Sequence, residues 1–233
     1  MTNVVITGAS SGLGKAISYA MQRRENVNII NWSLDAGVDV RDRKSIKNIG
    51  LKMIPTNGPN EIDILINCAG INHIDFIPDL KEDDWDRVVD TNAKGIYLAS
   101  QALLSYMKGG TILNIVSNAS HMPMTSSLAY NASKGAAEIM TKQMSRELIK
   151  THNITVFGIS PNKLKNTGMS AYIDNKVCEL RGWTPEEARN YQLASLPAGV
   201  ETDPETLAEF IAFILSTKER HRYFAGCIIP YGL

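Results

Sequence analysis

The sequence predicts a single-domain α/β fold, doubly wound, with one parallel sheet and helices on both faces. Three observations point there. Short, continuously apolar runs alternate with longer stretches of helical periodicity, as in strands buried on both faces by crossover helices. The first such run ends in a glycine-rich turn that leads straight into a helix. No internal repeat, low-complexity tract or Gly/Ser linker divides the 233 residues. Length alone, at about 150 residues per domain, allows one large domain or two small ones. The unbroken alternation selects one, spanning residues 1–233.

The elements follow in order. Asn3 to Thr7 is the first strand. Gly12 to Arg24 reads as a helix, with Leu13, Ala16, Ile17, Ala20 and Met21 at three- and four-residue spacing. Val27 to Trp32 is a second strand, and Val38 to Val40 a third, very short one. Asp42 to Ile54 has helical spacing through Ile46, Ile49 and Met53 and stops at Pro55. Ile62 to Asn67 is a strand closed by Cys68-Ala69-Gly70. Lys81 to Lys108 holds one or two helices, Thr111 to Ser117 a strand and Leu128 to Lys150 a long helix. Asn153 to Ser160 is a strand ending at Pro161. Pro204 to Ser216 is the last helix and Cys227 to Pro230 the last strand. Residues 162–203 are the least regular stretch, with short helical patterns around Ser170 to Leu180 and Pro185 to Ala194. An insertion there, at the carboxyl end of the sheet, is placed to act as a substrate lid.

Composition narrows the function. Lys plus Arg and Asp plus Glu both total 24, so the net charge is zero. That speaks against a nucleic-acid partner, which needs a basic footprint, and against attraction to an anionic membrane. No basic start followed by an apolar run marks a signal peptide, and no run of about 18 apolar residues could span a bilayer. Cys68, Cys178 and Cys227 are odd in number and far apart, which suits free thiols in a reducing cytoplasm. The histidines (His73, His121, His152 and His221) show no metal-ligand spacing, so no metal site is expected.

Two local patterns carry chemistry. The first strand runs into Thr7-Gly8-Ala9-Ser10-Ser11-Gly12-Leu13-Gly14. Gly8 suits a tight turn, Gly12 a close approach to pyrophosphate, and Gly14 close packing of helix on sheet. The helix start offers unpaired N–H groups to phosphates. Downstream lies Tyr130-Asn131-Ala132-Ser133-Lys134. Positions i and i+4 share a helix face, so Tyr130 and Lys134 point at one site. A neighbouring ammonium is expected to lower the tyrosine pKa, making the phenol a general acid or base near neutral pH. Ser117, at the end of the preceding strand, is placed to hydrogen-bond a substrate carbonyl oxygen. Asn92 lies in the preceding helical stretch, where an amide can bend the helix or hold a water. Cys68 reads as a small buried hydrophobe rather than a reactive thiol. The residues after Ser117, from His121 to Met124, are candidates for pocket lining or for core.

Taken together, these motifs resemble the short-chain dehydrogenase/reductase family over nearly the whole chain. The family's glycine motif corresponds to Thr7 through Gly14, and its Asn-Asn-Ala-Gly motif to Asn67-Cys68-Ala69-Gly70. Its catalytic asparagine falls on Asn92. Its serine falls on Ser117, thirteen residues before the tyrosine, and its Tyr-x-x-x-Lys pair on Tyr130 and Lys134. The resemblance implies a Rossmann fold and a nicotinamide-dependent oxidoreductase acting on a small-molecule carbonyl or alcohol. The nicotinamide would exchange a hydride with the carbonyl carbon, Tyr130 would exchange the proton, and Ser117 would polarise the oxygen. Lys134 would hold the ribose hydroxyls and tune Tyr130. Asn92 would position a water linking Lys134 to solvent. Cofactor contacts are implied for Thr7, Gly8, Ser10, Ser11, Gly12, Leu13, Gly14, Trp32, Ser33, Asp39, Val40, Asn67, Ala69, Gly70, Tyr130, Lys134, Pro161 and Thr167. The family also implies a homo-oligomer, tetramer before dimer, formed through the helices that here are Asn92 to Lys108 and Leu128 to Lys150.

The chain departs from the family pattern in three places. The acidic residue that holds the adenosine ribose in NAD enzymes is missing, because its place falls on Trp32 with Ser33 next. The basic residues of NADP enzymes are missing too, since Ser11 and Ser33 stand there. Without a carboxylate to repel a 2′-phosphate, NADP(H) is favoured over NAD(H). The family's Pro-Gly appears as Pro161-Asn162, with asparagine expected to keep a left-handed turn. The threonine that follows comes one place late, as Thr167, so either the loop has gained a residue or Asn166 takes its role. The tail from Phe224 to Leu233 lacks the usual Asp-Gly-Gly. Two other readings share the fold: a catalytically silent nucleotide-binding regulator or scaffold, and an isomerase, dehydratase or epimerase.

Overall fold

Burial on both faces is what makes the central strands apolar throughout. The structure, a computed structural model, describes residues 1–55, 61–196, 198–216 and 221–232. Its strands are β1 (Thr2–Thr7), β2 (Val27–Trp32), β3 (Ile64–Asn67), β4 (Thr111–Ile115), β5 (Thr155–Pro161) and β6 (Ile228–Tyr231). Every residue of β3, β4 and β5 is buried. They form one six-stranded sheet in the order β2-β1-β3-β4-β5-β6, parallel at each pairing.

Alternation along each strand feeds two apolar layers. Val4 and Ile6 of β1 face one layer, with Leu113, Phe157 and Ile159. There α1 (Gly12–Gln22) and α8 (Pro204–Ile214) cover the sheet. Val5 faces the other layer, with Leu65, Ile112 and Val156. That side is covered by α2 (Arg43–Asn48), α4 (Gly95–Leu103) and α5 (Leu128–Thr151). α3 (Glu82–Val89) runs into α4 through a π-helical turn at Asp90–Lys94. This architecture is the single-domain doubly wound fold expected from the alternation.

The expected strand at Val38 to Val40 does not form. Gly37 takes a left-handed φ of 81°, and the Val38 N–H turns back to the Ser33 carbonyl at 2.9 Å. Val38 and Val40 are buried by side-chain packing instead, so their apolar character does not report sheet pairing. β2 is consequently a sheet edge.

The stretch after β5 holds α6 (Gly168–Arg181) and α7 (Pro185–Ala194), each started by a capping box, at Thr167 and Thr184. Pro197, within the expected lid, and Leu233, in the tail, lie outside the described residues. Among the described residues, no helix is long and apolar enough to cross a membrane, and no cluster of three His, Cys, Asp or Glu could hold a metal.

Candidate active site

β2 lies to one side of β1 and β3 to the other, so the strand order reverses beside β1. In open α/β sheets the crevice beyond the carboxyl ends at such a point is where ligands bind. The glycine turn sits there. Gly8 has φ 70°, and a Cβ on it would stand 2.8 Å from the Ala69 Cα. A Cβ on Gly14 would run into the Gly8 carbonyl. Only glycine allows either approach. Thr7 places its Oγ1 between the N–H groups of Cys68 and Ala69, both at 3.0 Å, so the ends of β1 and β3 are laced together.

Those constraints leave a cradle whose chemistry fits a dinucleotide. Ser11 caps α1 without a side-chain hydrogen bond, which leaves the first-turn N–H groups for an anion. Ser10, Gly12 and Leu13 form the same turn. Gly12 has φ 50°, and across the groove the nearest atoms to its Cβ position are Thr167 Cβ and Cγ2, at 4.0 Å. At the end of β2 the Ser33 hydroxyl is buried without a hydrogen-bond partner, a polar group suited to a ligand hydroxyl or phosphate.

Trp32 departs from the expected cofactor contact. Its indole is fully buried and packs under Gly50, whose Cβ position lies 3.0 Å from the ring. The Trp32 side chain therefore belongs to the core, and only its carbonyl reaches the turn, accepting from the Gly8 N–H at 2.8 Å. Asp39 is engaged by Arg41, whose Nη2 lies 2.6 Å from its carboxylate, and this holds Asp39 below the ordinary carboxylate range. Val40 packs against the start of α4 at Gly95.

The catalytic candidates converge from three elements. Asn92 lies in the π turn, fully buried. Its Nδ2 donates to the Ile71 carbonyl at 2.8 Å and to Ser133 Oγ at 3.0 Å, and its Oδ1 accepts the Ile71 N–H at 2.9 Å. Gly70 lies between this amide and Lys134, with its Cβ position 3.4 Å from Asn92 Oδ1 and 3.8 Å from Lys134 Nζ. Ser117 lies just beyond the end of β4 and accepts the Ala119 N–H at 3.2 Å, capping a short 3-10 turn. Tyr130 and Lys134 share the first turns of α5, with the ammonium 5.8 Å from the centre of the phenol ring.

Burial, not the ammonium, governs the phenol. It holds Tyr130 above its ordinary value, while a hydrogen bond with Ser117 pulls the other way and the Cys68 thiol adds to the rise. The expected lowering by Lys134 is thus reversed in direction. Lys134 is itself lowered to about 8 by burial, and its Nζ donates to the Ile115 carbonyl at 2.8 Å. Burial pushes the Cys68 thiol up to about 12, consistent with an inert thiol.

Asn67 works in the scaffold. Its Nδ2 donates to Asn114 Oδ1 at 2.8 Å and to Ser100 Oγ at 3.2 Å, and Asn114 passes the chain on to Thr141 at 2.9 Å. The loop after β5 also differs from expectation. Asn162 is not left-handed; the left-handed residue is Asn166, at φ 55°. Asn162 instead binds Thr202 and the Gly232 carbonyl near the chain end. Pro161 is buried in β5 opposite Tyr231. Sequence reading missed Ser133, Ser100, Asn114 and the Ile115 carbonyl, because only the fold brings them to their partners.

A family model described as short chain dehydrogenase matches residues 31–177. The chain belongs to the short chain dehydrogenase family. It is an oxidoreductase acting between CH–OH and C=O groups with a nicotinamide cofactor. It is similar to the 3-oxoacyl-(acyl-carrier-protein) reductase of Thermotoga maritima, 30% identical over 97% of this chain and 94% of that one. It is also similar to glucose 1-dehydrogenase 2 of Bacillus subtilis, 25% identical over 97% and 91%. Among solved structures, a short chain dehydrogenase family protein from Francisella tularensis superposes with a TM-score of 0.85. It is 26% identical, and the match covers 99% of this chain and 96% of that one.

Proposed function

We propose that this member of the short chain dehydrogenase family interconverts a small-molecule ketone or aldehyde and its alcohol, with Tyr130 as the general acid and base. The observation that carries the reading is the convergence of Asn92, Ser117, Tyr130 and Lys134 beside the glycine turn. A bound nicotinamide supplies or accepts the hydride. Ser117 orients and polarises the carbonyl oxygen, and Tyr130 gives that oxygen its proton. A phenol raised by burial stays protonated at neutral pH, which suits it to donate in the reductive direction. Lys134 keeps N–H groups beyond the one given to Ile115 for the ribose hydroxyls. Asn92 holds Ile71, and through it the loop that passes over the site.

The cradle residues are Thr7, Gly8, Ser10, Ser11, Gly12, Leu13 and Gly14, with Ser33, Asp39, Val40, Asn67, Ala69, Gly70, Pro161 and Thr167 around them. Thr167 rather than Asn166 faces the cradle, as its distance to Gly12 supports. NADP(H) is favoured over NAD(H), because no carboxylate stands at the end of β2 to repel a 2′-phosphate. Residues 162–203 serve as the substrate lid of a single domain. Exposed Tyr97 on α4 and Ile139 on α5 support a homo-oligomer through those helices, tetramer before dimer. Three free cysteines support a cytoplasmic setting.

The test is titration with NADPH and NADH, followed by turnover of a panel of ketones, aldehydes and alcohols. Tighter NADPH binding and stoichiometric cofactor consumption are expected. An NADH preference overturns the cofactor choice. Binding without turnover, unchanged in Tyr130→Phe, overturns the enzymatic role.

A further inference from the structure

An apolar cleft of about 390 Å³ opens at the same end of the sheet. Phe76 and Ile77, on the loop that leaves β3, form one wall. Pro123 and Met124, on the loop that leaves β4 behind Ser117, form the other. Leu128 and Asn131 of α5 line it as well, on the turn that carries Tyr130. Among the described residues, no charged one lines the cleft. Its large apolar side chains are open to solvent: Ile77 is 70% exposed, Leu128 43% and Met124 40%.

This cleft is held in shape. The Asp75 N–H donates to the Ser126 carbonyl at 2.8 Å, and Asp75 pairs with Ser127 across the two loops. Ser126 sits at φ 60°, a left-handed conformation that serine rarely takes. Such strain persists where the surroundings impose it, and it gathers at ligand clamps. Asn131 Nδ2 binds the carbonyls of Ala119 and Met122, both at 2.8 Å, and so fastens the second wall to α5. The volume falls in the range of small-ligand sites, about 300–1,000 Å³. A stable protein partner needs about 800 Å² from each side, more than one concave notch offers.

We propose that this cleft receives the apolar arm of the substrate. The substrate class is then ketones, or their secondary alcohols, that carry an extended alkyl or aryl substituent, not polyols. The inference rests on the reading of Tyr130 as the acid–base group. Its walls offer an alkyl chain burial, while a polyhydroxylated arm would lose water for few polar partners.

The experiment is a series of linear 2-ketones from four to ten carbons, measured with wild type and Ile77→Asp. Dissociation constants for the same ketones are taken by calorimetry on the cofactor-loaded enzyme. The expected result is a rise in kcat/KM of up to about four-fold per methylene. Ile77→Asp should flatten the series. A flat series in the wild type overturns the proposal, as does a slope that survives Ile77→Asp. A change of oligomeric state in Ile77→Asp with the slope intact assigns the cleft to a subunit contact instead. If no ketone turns over, the reading of Tyr130 fails, and the calorimetry decides the cleft separately. Binding that tightens with chain length and is lost in Ile77→Asp upholds it; no binding overturns it.

Discussion

The Lys134 ammonium donates to the Ile115 carbonyl at 2.8 Å, at the end of β4, and its side chain is buried. Its pKa of about 8, against an ordinary 10.5, measures how strongly the surroundings resist the charge. At about 1.4 kcal/mol per unit, the cost is on the order of 3 kcal/mol. The charge is kept where it destabilises the fold, as expected of a functional group.

Lys134→Met should therefore be more stable than wild type at pH 7, by about 1–3 kcal/mol, the orphaned Ile115 carbonyl offsetting part of the gain. Between the folded value and 10.5 the unfolded chain binds more protons at this group, so wild-type stability should rise as pH climbs from 8 toward 9. Above 9 the Cys68 thiol acts oppositely, since its folded value of about 12 lies above its ordinary 9.0. Urea melts of both proteins across this range check the sign. Lys134→Met should lack the rise from 8 to 9.

Gly8→Ala and Gly182→Ala separate clash from strain. Both glycines have positive φ, 70° and 65°, but nothing lies within 4 Å of the Gly182 Cβ position, whereas Ala69 Cα is 2.8 Å from that of Gly8. Gly182→Ala should cost about 1–2 kcal/mol. Gly8→Ala should cost roughly 3–5 kcal/mol, adding overpacking, and should also weaken cofactor binding. Denaturant midpoints and a cofactor titration read the two effects.

Asn92→Ala leaves the N–H and the carbonyl of Ile71 without their partner. The expected loss is about 2–4 kcal/mol, with faster hydrogen exchange over residues 71–78. A helix residue without this duty would cost under about 1 kcal/mol.

Asn162→Ala should loosen the base of the lid and the chain end together, because its amide joins Thr202 and Gly232. Limited proteolysis should cut the C-terminal segment earlier than in wild type, while the core keeps its melting temperature to within a few degrees.

Much of this was legible in the chain, for physical reasons. The helix period places Tyr130 and Lys134 together, and the glycine spacing marks the crevice. What stayed hidden depends on three-dimensional neighbours. Val38 and Val40 look like a strand, yet they are buried by packing against helices. Trp32 ends a strand, but its indole fills the space above Gly50. The direction of the Tyr130 shift follows from desolvation, which no spacing reveals. Asn162, expected to turn left-handed, is instead held by Thr202, a side-chain contact that residue types alone do not declare, and the left-handed residue is Asn166.

The central claim is that Tyr130 passes the proton while the cradle holds the cofactor. Its most direct measurement compares single-turnover ketone reduction by wild type and Tyr130→Phe at saturating cofactor. The account predicts a rate lower by about 10²–10⁴-fold in Tyr130→Phe, with the cofactor still bound and the unfolding midpoint unchanged. Equal rates in the two proteins would contradict it.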